Sequence, residues 1–349
     1  MAGAIERNKR FLTDLFAGPF PGHGIIMEPE PEEKPGPGDV VTSELPLDRW
    51  IDHSLRDYEM RLHYHEKTGD DSVPYIRAVT GTEFFAAAFG CPIHVYEDAA
   101  LPPSARPLVC TAGEADALVE PGVDNPLFCR WLEFAEKLTR KAGSGVPVSV
   151  PDIQSAFDIA GLIWNKQDFF MAMIDTPDAV MRLVEKCHNL LTAFVKEFMR
   201  RFENVNLCHC PTAWAPPELG MWLSEDEAGS LSSDAFREFC LPSLVELSET
   251  FGGLFVHCCA AADHQYDNFR SIPNLRGLNR VFQEPGPRPA VEAFAGETVL
   301  IQAWLDEAAA IEMRDMARPG SRFLFNIAAL PEDEAVATCE RLRRRCDRP

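Results

Sequence analysis

Short apolar or β-branched runs alternate along the chain with longer amphipathic stretches. The runs fall at residues 24–27, 92–96, 147–151, 205–210, 254–259, 277–282, 299–304 and 323–328. Each has the length of a buried strand. The last four begin 22 to 24 residues apart, which leaves room for one strand, one helix and two short loops. Between the runs the apolar period lengthens to that of a helix. Thr176 followed by Pro177 predicts an N-cap ahead of a stripe through Val180, Leu183, Leu190 and Phe194. Residues 45–66 read as a helix, and residues 233–251 as another, kinked at Pro242. A last helix opens at Pro331, with Glu332, Asp333 and Glu334 at its positive end and Arg341 to Arg345 at its negative end. Eight strands alternating with helices predict an α/β chain folded as a (β/α)8 TIM barrel. A doubly wound sheet finds no support, since no GxGxxG follows a strand and no Walker sequence is present.

Punctuation and charge refine this picture. Residues 28–39, EPEPEEKPGPGD, hold four prolines and five acids and predict a solvated loop. Residues 97–104, with Pro102 and Pro103, predict a second. We divide the chain into residues 1–70, an N-terminal extension with the first strand and a helical arm, and residues 71–349, the remainder of a single barrel domain. The 33 Lys and Arg against 54 Asp and Glu leave a net charge of −21, which repels phosphate backbones and anionic membranes and argues against a nucleic-acid binder. No window offers about 18 uncharged apolar residues, so no membrane span is expected. The first residues carry charges where a signal peptide needs an apolar core. Eleven cysteines, irregularly spaced and without CxxC, predict reduced thiols in a cytoplasmic protein.

In a barrel, chemistry gathers at the C-terminal strand ends. At the fifth run, Phe255-Val256-His257-Cys258-Cys259, alternation points His257 and Cys259 one way and Cys258 toward the helices. An imidazole and a thiolate at that spacing reach one zinc ion, while packing explains the same residues without a metal. A catalytic zinc needs about three protein ligands, and the candidates for the third are Glu284, Asp306 and the Cys208-His209-Cys210 run. Asp152, Gln154, Asn279, Arg280, Gln302, Arg322 and Asn326 fall at or near strand ends as candidate pocket residues. Glu225-Asp226-Glu227 forms an acidic turn before Ser232. GxSxG, HExxH and EF-hand patterns are absent, and His63 and His65 stand two apart on a helix, a poor chelate.

The segments 151–160 (PDIQSAFDIA), 175–180 (DTPDAV), 232–242 (SSDAFREFCLP) and 272–279 (IPNLRGLN) together resemble the uroporphyrinogen decarboxylase superfamily, over roughly residues 70 to 345. The resemblance implies a (β/α)8 barrel and one of two chemistries. One is cofactor-free decarboxylation of a polyacid. The other is methyl transfer between a corrinoid protein and a thiol at a zinc held by a His-x-Cys pair and a later Cys. Where the decarboxylases carry RQAGR, this chain has Gly22 to Pro29 without arginine, and where they carry NLGHG it has Asn326-Ile327-Ala328-Ala329-Leu330. The later Cys of the methyltransferases is missing from residues 324–326.

The expected activity is therefore methyltransferase-like, with zinc on His257, Cys259 and Glu284, a corrinoid on a partner protein, and Asp152, His209 and Asp226 as catalytic residues. Gln154, Asn279, Arg280, Gln302, Arg322 and Asn326 would bind a small-molecule substrate, in a chain that the resemblance allows to be a homodimer. The alternative is metal-free decarboxylation of a smaller acid, with Asp152 or Asp226 facing a cationic intermediate and Arg280 or Arg322 on a carboxylate. A non-catalytic binder on the same barrel is the third reading.

Overall fold

The computed structural model describes residues 2–346. Its strands are β1 (Gly24–Met27), β2 (Ile93–His94), β3 (Ser104–Ala105), β4 (Val148–Ser149), β5 (Val205–Asn206), β6 (Met221–Ser224), β7 (Leu254–Cys258), β8 (Leu275–Arg280), β9 (Val299–Leu305) and β10 (Arg322–Ile327). Six of them form one parallel sheet in the order β1-β10-β9-β8-β7-β6. Main-chain bonds close the circle. Asp71 N–H donates to Ile25 at 2.8 Å, Ile76 pairs in parallel with Val148, and Gln154 pairs in parallel with Ser224. The staves are therefore β1, residues 71–76, residues 148–154, β6, β7, β8, β9 and β10, a (β/α)8 barrel.

Two sequence expectations are corrected here. Residues 92–96 are not a stave: β2 and β3 form an antiparallel hairpin outside the wall. The second place belongs to residues 71–76, where Pro74 and Asp71 hide the strand pattern. The run at 205–210 ends as a strand after Asn206, having paired with both residues of β4. The wall resumes at β6, whose four residues Met221-Trp222-Leu223-Ser224 are too few to show a period.

Register stacks the barrel interior in layers. Trp222, Phe255, Gly277 and Val299 share one level, and Ser224, His257, Asn279 and Ile301 the level above it. The Trp222 and Phe255 rings stack at 4.4 Å, and Phe16 meets Phe255 edge-on at 4.9 Å. Phe16 belongs to an N-terminal helix, Ala2–Ala17, which plugs the bottom of the barrel with Leu12, Leu15 and Phe16 fully buried. Gly277 makes room for this stack, since a Cβ there would stand 2.6 Å from the Phe255 ring. Asn8 ties the plug down by donating to the carbonyls of Asp70 and Ser72 at 2.8 and 2.9 Å.

Two helix boundaries also differ from expectation. Thr176 makes no side-chain cap for Pro177–Arg201; its hydroxyl donates back to Ala172. Pro242 does not kink one helix but separates two, Ser233–Phe239 and Leu241–Phe251, broken at Cys240. Among the described residues, no helix is long and apolar enough to cross a membrane.

Candidate metal centre

The upper interior layer ends at the C-terminal mouth of the barrel. There His257 from β7, Cys259 just beyond it and Asp226 from the turn after β6 bring their ligand atoms within 4.8 Å of one another. His257 is oriented from the neighbouring strand. Asn279 donates its amide to the Ile301 carbonyl at 2.6 Å, which turns its oxygen toward His257 Nδ1 at 2.5 Å. That oxygen can only accept, so Nδ1 carries the proton and Nε2 is left with its lone pair. Cys259 N–H donates to Asp226 Oδ1 at 2.7 Å. Burial, and then the adjoining Asp226 carboxylate, push the Cys259 thiol up to about 12.

Asp226 is itself held by its backbone. The Asp158 carboxylate accepts the N–H groups of Asp226 and Glu227 at 2.7 and 3.0 Å. Burial raises Asp158, and burial together with Asp158 raises Glu225 well above the usual carboxylate range, so the two form a buried acid pair beneath the turn. Asp158→Asn leaves one oxygen where two N–H groups are received. It is expected to weaken metal affinity about 10–100-fold in chelator competition, as loss of an outer partner does at other metal sites.

Other residues expected at the site are distributed unevenly. His209 lies beside it, its Nε2 at 3.1 Å from Ser224 Oγ and 3.9 Å from Asp152. Burial, and then His257, lower its pKa to about 3, so it is neutral, with a buried Nδ1 that has no partner. Gln154 donates to Asp152 at 2.5 Å, and burial raises Asp152 to about 6. Cys210 Sγ approaches His257 Nδ1 at 3.9 Å, while Cys208 is buried and donates to the Pro211 carbonyl. Gln302 is buried with its amide on the Ile301 carbonyl. Asn326, where the resemblance looks for a Cys, donates to Glu28 at 3.1 Å and to the Thr212 carbonyl at 2.5 Å.

Four residues expected at the site are placed differently. Glu284 is exposed in the loop after β8 and is not in the ligand group; Asp226, expected as a catalytic acid, stands there instead. The sequence hides this because Asp226 sits on the turn after the unrecognised β6. Arg322 is the first residue of β10, at the opposite end of the barrel, and donates to the carbonyls of Leu15 and Glu297. Arg280 is buried beneath the loop after β7. Its guanidinium donates to the carbonyls of Cys258 at 2.8 Å and Ala260 at 2.5 Å and meets Asp263 at 3.2 Å. Asp306 caps the helix Glu307–Asp315 by accepting from Ala309 N–H.

A buried acid missed by the sequence reading lies under the same rim. Glu83 is fully buried, and burial together with the nearby Asp39 carboxylate raises its pKa from 4.5 to about 9. A raised folded-state pKa means that the folded chain keeps a proton the unfolded chain has lost. Stability then falls as pH climbs from about 4.5 to about 9, by about 1.4 kcal/mol per unit. Glu83→Gln lacks this slope, so its melting temperature relative to the parent is expected to rise steadily between pH 5 and pH 9 and to level off above. A pH-independent difference would contradict the assignment.

Fold and site thus define a (β/α)8 barrel with a candidate Asp-His-Cys metal centre at its C-terminal mouth. Residues 59–278 match the model of the uroporphyrinogen decarboxylase (URO-D) family, and the chain belongs to that family. Among solved structures, a methyltransferase from Methanosarcina mazei superposes with a TM-score of 0.64 at 14% identity, covering 96% of this chain and 98% of the other. The metallated homocysteine methyltransferase MmuM from Escherichia coli covers 91% and 96% at 10% identity, but its TM-score of 0.35 carries no argument. No curated protein matches the chain.

Proposed function

We propose that the protein is a zinc-dependent methyltransferase acting on a thiol, with the methyl group presented by a corrinoid on a second protein. The observation that carries this reading is the convergence of His257, Cys259 and Asp226 within 4.8 Å at the barrel mouth. The donor set suits zinc: one neutral imidazole with its second nitrogen fixed, one sulfur and one carboxylate, leaving a fourth position open. The cations nearby are engaged elsewhere, Lys166 on Glu227 and Arg280 on loop carbonyls, so the donors face no competing positive charge from these residues. Zinc held there would lower the pKa of a bound thiol and present it as a thiolate at neutral pH.

The chain's own groups supply the rest. Asn279 fixes the His257 ring, and Asp158 fixes the Asp226 turn. Asp152, raised to about 6, is ionised at neutral pH and is the group able to take up the proton that the thiol releases. His209 stays neutral and pairs with Ser224 at the wall of the site.

The test is zinc analysis of protein purified without chelator, followed by demethylation of methylcobalamin with a panel of thiols. About one equivalent of zinc and a zinc-dependent transfer to thiol are expected. Less than half an equivalent, or CO2 release from an acid panel that a chelator leaves untouched, would replace this reading with metal-free decarboxylation.

A further inference from the structure

Resting on the zinc–thiol reading, we infer that the thiol accepted here has an uncharged, largely apolar body, and that Val281, Phe282 and Trp304 form the wall it lies against. Charge is the first argument. Arg61 is paired with Glu28 at 2.8 Å and Asp57 at 3.0 Å, and Arg77 is paired with Asp57 at 3.2 Å. Arg280 lines the cavity beside this wall, but its guanidinium is committed to the Cys258 and Ala260 carbonyls and to Asp263. An anionic tail would have to displace one of these partners while facing Asp152 and Asp226. A buried carboxylate or sulfonate without a free cation is costly.

Shape is the second argument. A cavity of about 290 Å³ opens between the ends of β8 and β9 and the helix Glu307–Asp315. Val281, Phe282, Trp304 and Met313 line it beside Asn279, and the two charged residues that reach it, Arg280 and Glu312, are of opposite sign. Asn279, which orients His257, also lines this cavity, so one residue joins it to the metal centre.

Trp304 is the third. Its φ of 58° is a left-handed conformation that a bulky residue adopts at a cost, and its indole is 62% exposed. Trp50, Trp131, Trp164 and Trp222 are all buried at 2% exposure or less. Val281 beside it is also exposed. A strained backbone that displays an aromatic face at the rim of an apolar cavity suits stacking on a ligand.

The experiment loads the protein with Co2+, whose visible spectrum reports a sulfur ligand, and follows Trp304 fluorescence by difference against Trp304→Phe. Benzyl mercaptan is expected to bind at least about tenfold more tightly than 3-mercaptopropionate and to quench the exposed indole. Trp304→Ala is expected to weaken benzyl mercaptan about tenfold while leaving 3-mercaptopropionate and cobalt stoichiometry unchanged. Equal or tighter binding of 3-mercaptopropionate, or no change in Trp304→Ala, overturns the inference while leaving the metal reading intact. If no cobalt binds, the metal reading falls, and benzyl alcohol decides the wall by itself. Quenching of Trp304 that is lost in Val281→Asp supports the assignment, and absence of quenching overturns it.

Discussion

Cys259→Ser protein is expected to retain less than about a tenth of an equivalent of zinc where the parent holds about one. A hydroxyl is a far poorer zinc ligand than a thiolate, and the loss leaves only an imidazole and a carboxylate on the ion. His257→Ala should do the same, because it removes the imidazole from the ligand group. Glu284→Ala is the informative control. Its side chain is exposed and outside the ligand group, so its zinc content should equal the parent's. Metal analysis by mass spectrometry reads all three. Undiminished zinc in Cys259→Ser would remove the foundation of the proposed chemistry.

Arg280→Ala is expected to cost about 1–3 kcal/mol in stability, the loss of a buried donor from the loop it holds. The guanidinium is 1% exposed and donates to the buried Cys258 carbonyl, the half-buried Ala260 carbonyl and Asp263. Truncation leaves the Cys258 carbonyl with only the long bond from Val281 N–H at 3.3 Å and takes from the half-buried Ala260 carbonyl its guanidinium donor. These two residues flank Cys259, so the same change should loosen the sulfur relative to Asp226 and weaken metal binding as the protein loses stability. Urea unfolding and chelator competition measure the two effects. A stable variant with parental zinc affinity would show that the loop holds its shape without the arginine. Arg280→Lys reaches with one point charge instead of a fork and is expected to recover only part of both losses.

The barrel was legible because six of its staves are apolar runs bounded by turns. Their spacing and the strand alternation that sets His257 and Cys259 on one face both follow from local sequence. The places where the reading broke down have a common physical cause. Residues 71–76 pair through a few main-chain bonds and carry Pro74, while β6 is four residues long, so neither displays a period. Asp226 follows directly from that second gap: without β6, the acidic turn has no place in the barrel. The positions of Arg280 and Arg322 were beyond a one-dimensional reading for another reason. An arginine at one end of a stave and one at the other look alike in sequence, and only the loop over Arg280 and the plug helix beneath Arg322 decide what each can touch. Glu83 gave no signal, since an acid near a loop is ordinarily solvated and its burial depends on partners far along the chain.

The acid pairs below the rim also change how the molecule moves in an electric field. Glu83 keeps its proton at neutral pH, and burial beside Asp158 pushes Glu225 the same way, so the native protein is less negative than the −21 counted from its residues. Denaturation returns both carboxyls to water, where they ionise. Native and unfolded chains should therefore differ in electrophoretic mobility by more than their size alone dictates, and unfolding at neutral pH should release protons to the buffer.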